Sequence, residues 1–214
     1  MIINNIEKNN SALLLVDLQN DFCHGGNLAV PNGDEVISLA NQLQNHFTCV
    51  VATKDWHPVN HLSFAANHPN KKPGDTVDLF GIEQILWPKH CVQNTFGAEF
   101  HPNLNVKNIN KIIYKGTDTK IDSYSAFFDN GHLRQTELEN YLHEQHIADI
   151  YVLGLATDYC VKYTCLDGIK LGFNVFLIQD ACRGVELKTG DIKTVLNELE
   201  IAGVQICNSK EIIF

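Results

Sequence analysis

Positive charge is scarce in this sequence. Its 214 residues carry 16 Lys and Arg against 25 Asp and Glu, a formal net charge of -9 at pH 7, and the cations form no run. Phosphate backbones are bound by clustered Lys and Arg, so a nucleic-acid partner is disfavoured. Long apolar runs are missing too. The longest early one, Ala12 to Val16, falls far short of the roughly 20 residues that cross a bilayer. The first ten residues hold Glu7, Lys8 and four Asn, which is not the pattern of a secretory signal. A cytoplasmic location with no membrane partner is therefore expected. No two cysteines have the Cys-x-x-Cys spacing of a zinc site. The 7 Cys are odd in number, in a chain too long to depend on disulfides, so reduced and buried thiols are expected.

Hydrophobic residues make up 44% of the chain, enough for a sizeable core. Short runs rich in Val, Ile and Leu recur at Ala12–Val16, Cys49–Ala52, Ile112–Tyr114, Ile150–Leu153, Val175–Ile178 and Val204–Ile206. They lack polar alternation, as in strands buried on both faces. Helical patterns lie between them. Asp34 opens one with Val36, Ile37, Leu39, Ala40 and Leu43. Thr136 and Glu139 have capping-box spacing before Leu142. Ile192, Val195, Leu196 and Leu199 repeat at helical intervals up to Gly203. The alternation predicts a three-layer α/β fold, a mainly parallel sheet of about six strands with helices on both faces. One domain should span residues 1–214, with an insertion at about 54–110. That stretch holds five of the six Pro and both Trp, and a connection so long is a candidate for function.

Ligands of open parallel sheets bind beyond the carboxyl ends of the strands. Asp17, Asp55, Lys115 and Cys160 follow four of the predicted strands. An acid or a lysine at one strand end is ordinary, and a lone cysteine is often a small core residue. The convergence of four is the informative part. Cys160 follows a strand and a tight turn and falls in the first turn of a predicted helix, where the helix dipole and a cation such as Lys115 would favour thiolate. Asp17 could take the thiol proton and return it to a leaving amine. Asp21 reads as a turn or cap acid, and Phe22 could wall a flat aromatic substrate. Asp55, His57 and His61 read as a metal cluster, with His90 as a further ligand; Cys91 should point away from His90. His68 and His101 read as surface or outer residues.

These segments resemble the nicotinamidases of the isochorismatase-like cysteine hydrolase superfamily. The matches are Val16–Phe22 (VDLQNDF), Val51–His57 (VATKDWH), Trp87–Asn94 (WPKHCVQN), Tyr114–Gly116 (YKG), Asp122–Phe128 (DSYSAFF) and Gly154–Val161 (GLATDYCV). They occur in family order and cover most of residues 11–185. The resemblance implies an isochorismatase-like hydrolase fold and hydrolysis of nicotinamide to nicotinic acid and ammonia, in NAD salvage, with pyrazinamide as an analogue. It implies Asp17, Lys115 and Cys160 as the catalytic triad, and Asp55, His57 and His90 as ligands of one divalent metal, Zn first and Fe or Mn after it. His61 is the least secure ligand. It also implies a cis peptide between Leu155 and Ala156, an oxyanion hole from the Ala156 and Cys160 amides, and pocket walls at Phe22, Trp87 and Tyr124.

Two readings compete. Another amidase of the superfamily, acting on a carbamoyl or ureido compound, would keep Asp17, Lys115 and Cys160 but need no metal cluster. A non-catalytic binding protein on the same fold would not need all three. Self-association as a homo-oligomer is left open by the sequence.

Overall fold

In the computed structural model, residues 10–212 are described, so all but the last of the ten N-terminal residues read for a signal lie outside the described residues. In chain order the elements are β1 (Ser11–Val16), α1 (Glu35–Gln44), β2 (Cys49–Asp55), β3 (Thr76–Leu79), β4 (Ile82–Ile85), β5 (Lys111–Lys115), α2 (Leu138–Glu144), β6 (Asp149–Leu155), α3 (Lys162–Lys170), β7 (Asn174–Arg183), α4 (Asp191–Ile201) and β8 (Gln205–Cys207).

Six of these strands form one sheet in the order β5-β2-β1-β6-β7-β8, and every neighbouring pair is parallel. Every residue of β1 and β2 is buried, as expected where both faces of a parallel sheet are covered. The edge strand β5 behaves differently. Ile113 and Lys115 are buried while Ile112 and Tyr114 are exposed, so its apolar run hides a two-residue alternation. The same period puts Lys115 on the inward side with Ile113. Among the described residues, no helix is long and apolar enough to cross a membrane.

The helices form where their apolar faces were read, but the caps differ. The Asp34 carboxylate accepts a bond from the His24 N–H (2.9 Å) instead of from its own helix. The expected capping box at α2 is half made. Thr136 Oγ1 accepts the Leu138 N–H at 3.1 Å, but Glu139 is engaged by Gln135 and the Thr136 N–H donates to the Phe127 carbonyl (2.8 Å). Gly203 closes α4 at φ 100°, the left-handed stop that glycine favours.

The 54–110 segment is not structureless. It holds the separate antiparallel hairpin β3–β4, with Leu79 paired to Ile82. Phe80 and Gly81 bridge it, both at positive φ (58° and 85°), the two-residue turn that matches strand twist.

One glycine sets the register beside the site. Gly154 pairs with Val16 between β6 and β1. It has φ 128°, and an added Cβ would stand 2.8 Å from the Val16 nitrogen and closer still to its carbonyl oxygen. Gly154→Ala should therefore cost about 1–3 kcal/mol of stability from backbone strain, before the clash is counted. A urea titration checks this; an unchanged midpoint would refute it.

Candidate active site

β5, β2, β1 and β6 lie side by side, and each sends one reactive side chain past its carboxyl end. Chain direction through the sheet reverses between β1 and β6, which makes this the switch point where ligands of open sheets bind. Asp55 and Lys115 are the last residues of their strands and face each other in register.

Asp17 is fixed by a single hydroxyl. It sits at φ 51° just after β1. Its N–H donates to Thr53 Oγ1 (3.0 Å), and the Thr53 hydroxyl donates back to Asp17 Oδ1 (2.5 Å). Lys115 is 1% exposed. Its ammonium donates to the Asp55 carboxylate, to the Ser123 carbonyl (3.0 Å) and to Cys160 Sγ (3.3 Å). An ammonium has three hydrogens, so all are engaged. Asp17 Oδ2 lies 2.9 Å from Lys115 Nζ yet has no aligned hydrogen bond. It is attracted by the charge and keeps its lone pairs.

Cys160 lies in a π-helical turn, Thr157–Val161, which leads into α3, and the Leu155–Ala156 peptide before it is cis. The thiol expected to be acidified by the helix terminus and Lys115 has Lys115 beside it and burial against it. Burial holds the Cys160 thiol well above a free cysteine; Lys115 opposes this, and Asp17 and Asp55 reinforce it. Burial also raises the Asp17 carboxyl, with Lys115 opposing and Asp55 adding to the rise. For Lys115 burial disfavours the charge, but Asp17, Asp55 and Cys160 outweigh it and hold the ammonium well above the usual lysine value.

Asp55 also borders a histidine cluster. Its Oδ2 lies 3.5 Å from His57 Nε2 and 3.7 Å from His90 Nε2. The other ring nitrogens are engaged by carbonyls: His57 Nδ1 by Gly116 and His90 Nδ1 by Pro88, both at 2.8 Å. Such outer bonds fix a ring so that Nε2 is free for a metal. His57 Nε2 is buried without a partner, and one donor atom each from Asp55, His57 and His90 lie within 4.8 Å of one another. Charge points the same way. Asp55 and Asp122 are both buried, with carboxylate oxygens 3.5 and 3.9 Å from His57 Nε2, and a divalent cation would balance them. Burial would raise the Asp55 carboxyl, yet Lys115 and His57 hold it well below the usual range. The residues fit a divalent metal.

His61 stands next to this trio rather than in it. It groups instead with His57 and Asp122, its Nδ1 meets Ser63 Oγ at 2.7 Å, and its Nε2 has no partner. Burial lowers its pKa to about 4. Cys91 Sγ points to the Gly97 carbonyl (3.9 Å), away from the cluster. A second grouping, Cys23, Asp34 and His101, is already satisfied internally: His101 Nδ1 accepts the Asn103 N–H (3.2 Å) and Nε2 faces Asp34 (3.4 Å).

An apolar slot opens over Cys160. Phe22, Trp87 and Tyr124 line it as expected, together with Asp55, His90, Ala156 and Tyr159. Leu28, Val30, Asp122 and Val185 line it as well, and sequence reasoning gave none of these a role. Gln19 and Thr53 were missed too. Gln19 takes the Asp55 N–H and gives to the Asp55 carbonyl, both at 2.8 Å. Gln19, Thr53 and Asp122 lie inside the quoted motifs, which was their signal; Val185 lies in none.

Residues 11–211 match the isochorismatase domain. The nicotinamidase of Escherichia coli (strain K12) is 48% identical over 199 residues, 91% of this chain and 93% of that protein. A solved nicotinamidase/pyrazinamidase of Acinetobacter baumanii matches with TM-score 0.94 at 48% identity, over 97% of this chain and 100% of that one. The pyrazinamidase of Pyrococcus horikoshii in complex with zinc matches with TM-score 0.76 at 36% identity, over 93% and 99%. The extent of these matches, end to end across the described sheet, means that the chain belongs to the isochorismatase-like hydrolase family, where its similarity runs to the nicotinamidases.

Proposed function

We propose that the chain hydrolyses nicotinamide to nicotinic acid and ammonia through a thioester on Cys160. The observation that carries this reading is the meeting of Cys160 Sγ, Lys115 Nζ and Asp17 Oδ2 in one buried cluster at an aromatic slot. Similarity to proteins named nicotinamidase supports the choice of substrate.

Phe22, Trp87 and Tyr124 hold the flat ring, which places the carboxamide at Cys160. Asp17 Oδ2 takes the thiol proton, and Lys115 steadies the sulfur as it becomes a thiolate. The sulfur bonds to the amide carbon, and the carbonyl pair moves to oxygen. Backbone amides at Ala156 and Cys160 meet that oxyanion, each donor contributing about 3 kcal/mol. Asp17 then gives its proton to the departing nitrogen, which leaves as ammonia. In the second half Asp17 deprotonates a water, the water oxygen attacks the thioester, the C–S bond breaks to release nicotinic acid, and Asp17 returns the proton to the Cys160 sulfur. Asp55, His57 and His90 would hold a divalent ion, Zn before Fe or Mn, which when bound supplies a Lewis-acidic anchor for a pyridine nitrogen. The metal cluster favours this reading over a carbamoyl or ureido amidase. One domain, a cytoplasmic setting and a place in NAD salvage fit it; the cysteines, all free and buried, suit a reducing compartment.

Cys160→Ala should lower ammonia release from nicotinamide by about 10⁴-fold or more, with bound metal retained. Turnover near the wild-type rate would exclude Cys160 as nucleophile. His90→Ala should lose most of its metal in elemental analysis, and His61→Ala should keep most of its own. Equal metal in both variants and wild type would remove His90 from the ligand set. Pyrazinamide keeps the amide and a ring nitrogen in the same relation, so it should also release ammonia; an inert pyrazinamide would contradict the slot as described.

A further inference from the structure

The hairpin β3–β4 pairs with no strand of the main sheet, yet one of its side chains reaches the slot wall from behind. Gln84 is buried on β4 and is not among the residues lining the slot. Its Nε2 donates to the Tyr124 hydroxyl oxygen at 3.1 Å and to the Ile85 carbonyl at 2.7 Å. Trp87 Nε1 donates to the same hydroxyl oxygen at 3.0 Å. A phenol oxygen accepts about two hydrogen bonds, so this one is filled. The relay then closes on itself. The Tyr124 N–H donates to Asn130 Oδ1 (2.9 Å), and Asn130 Nδ2 donates to Gln84 Oε1 (3.4 Å). Both ends of Tyr124, its backbone and the tip of its ring, are thus held through one amide.

Tyr124 has two χ angles, and its ring packs edge-on against Tyr159, next to Cys160, with centroids 5.6 Å apart. Without Gln84 the ring tip would keep only the Trp87 Nε1 bond, and the slot would lose part of one rigid wall.

We infer that Gln84 is a positioning residue for substrate: it sets the width of the aromatic slot by fixing the Tyr124 ring, without touching the substrate itself. The inference deepens the nicotinamide reading and rests on it. A wall that holds the ring in ground state and transition state alike acts on KM and leaves kcat nearly unchanged.

The test is a double-mutant cycle on the metal-loaded enzyme with nicotinamide. Gln84→Met keeps volume and removes the amide. It should raise KM about five- to tenfold, the loss expected for one buried hydrogen bond and a loosened wall, with kcat within about twofold. In a Tyr124→Phe background the same substitution should change KM by less than about threefold, because the oxygen that Gln84 Nε2 acts on is gone and only the Asn130 link to the backbone remains. Nicotinate affinity by equilibrium dialysis should weaken in parallel with KM. A merely structural Gln84 would lower the melting temperature or kcat in both backgrounds and leave KM alone, and that result overturns the inference. So does an equal KM rise in both backgrounds. If Gln84→Met does not fold, Gln84→Leu carries the same comparison. Failure of the wild type to release ammonia would instead sink the nicotinamide reading, so the two failures are distinguishable.

Discussion

A buried ammonium holds this site together. Lys115 is enclosed by Asp17, Asp55, Cys160 and the Ser123 carbonyl, and no arrangement of those groups would be tolerable without it. Removing one member of a buried charge pair leaves the other stranded, a loss of roughly 3–5 kcal/mol. The chemistry and the packing therefore constrain each other. The core of the sheet can be built from Val, Ile and Leu at many positions, but the carboxyl ends of β1, β2 and β5 admit few alternatives.

Asp55 joins two systems through one carboxylate. Its Oδ1 faces Lys115 and its Oδ2 faces His57 and His90. Gln19 clamps the backbone N–H and carbonyl of that residue, which fixes the stem of the carboxylate. A cation at the histidines would draw on the same charge that supports Lys115. The resulting shift in Lys115 would reach Cys160, whose sulfur it touches.

Much of this was legible in the sequence because strand ends concentrate function. Asp17, Asp55, Lys115 and Cys160 follow apolar runs, and the run-and-helix alternation implies parallel strands that all present their carboxyl ends on one side. What sequence does not carry is the lateral order β5-β2-β1-β6, which pairs Ser11 with Asp149, 138 positions further on; that depends on long-range packing. The hairpin turn was hidden because Phe80 stands where Asn or Asp would announce it. Val185 was hidden because a single Val in a loop has no period. For Cys160, sequence reasoning named the helix terminus and Lys115, but not the burial and the two carboxylates, Asp17 and Asp55, that push the other way.

The position of Lys115 on β5 has one more consequence. Among the described residues β5 is hydrogen-bonded to β2 alone, and Ile112 and Tyr114 on it face outward. Outer strands open more readily than central ones, since fewer contacts restrain them. Were this margin to open, the ammonium would leave with it, and the two carboxylates it neutralises would be left to repel each other. The cleft would then lose its centre of positive charge and the strand would lose the pairing that holds it in place. Opening is thus resisted from inside the pocket, where Lys115 ties the border strand to carboxylates at the ends of β1 and β2.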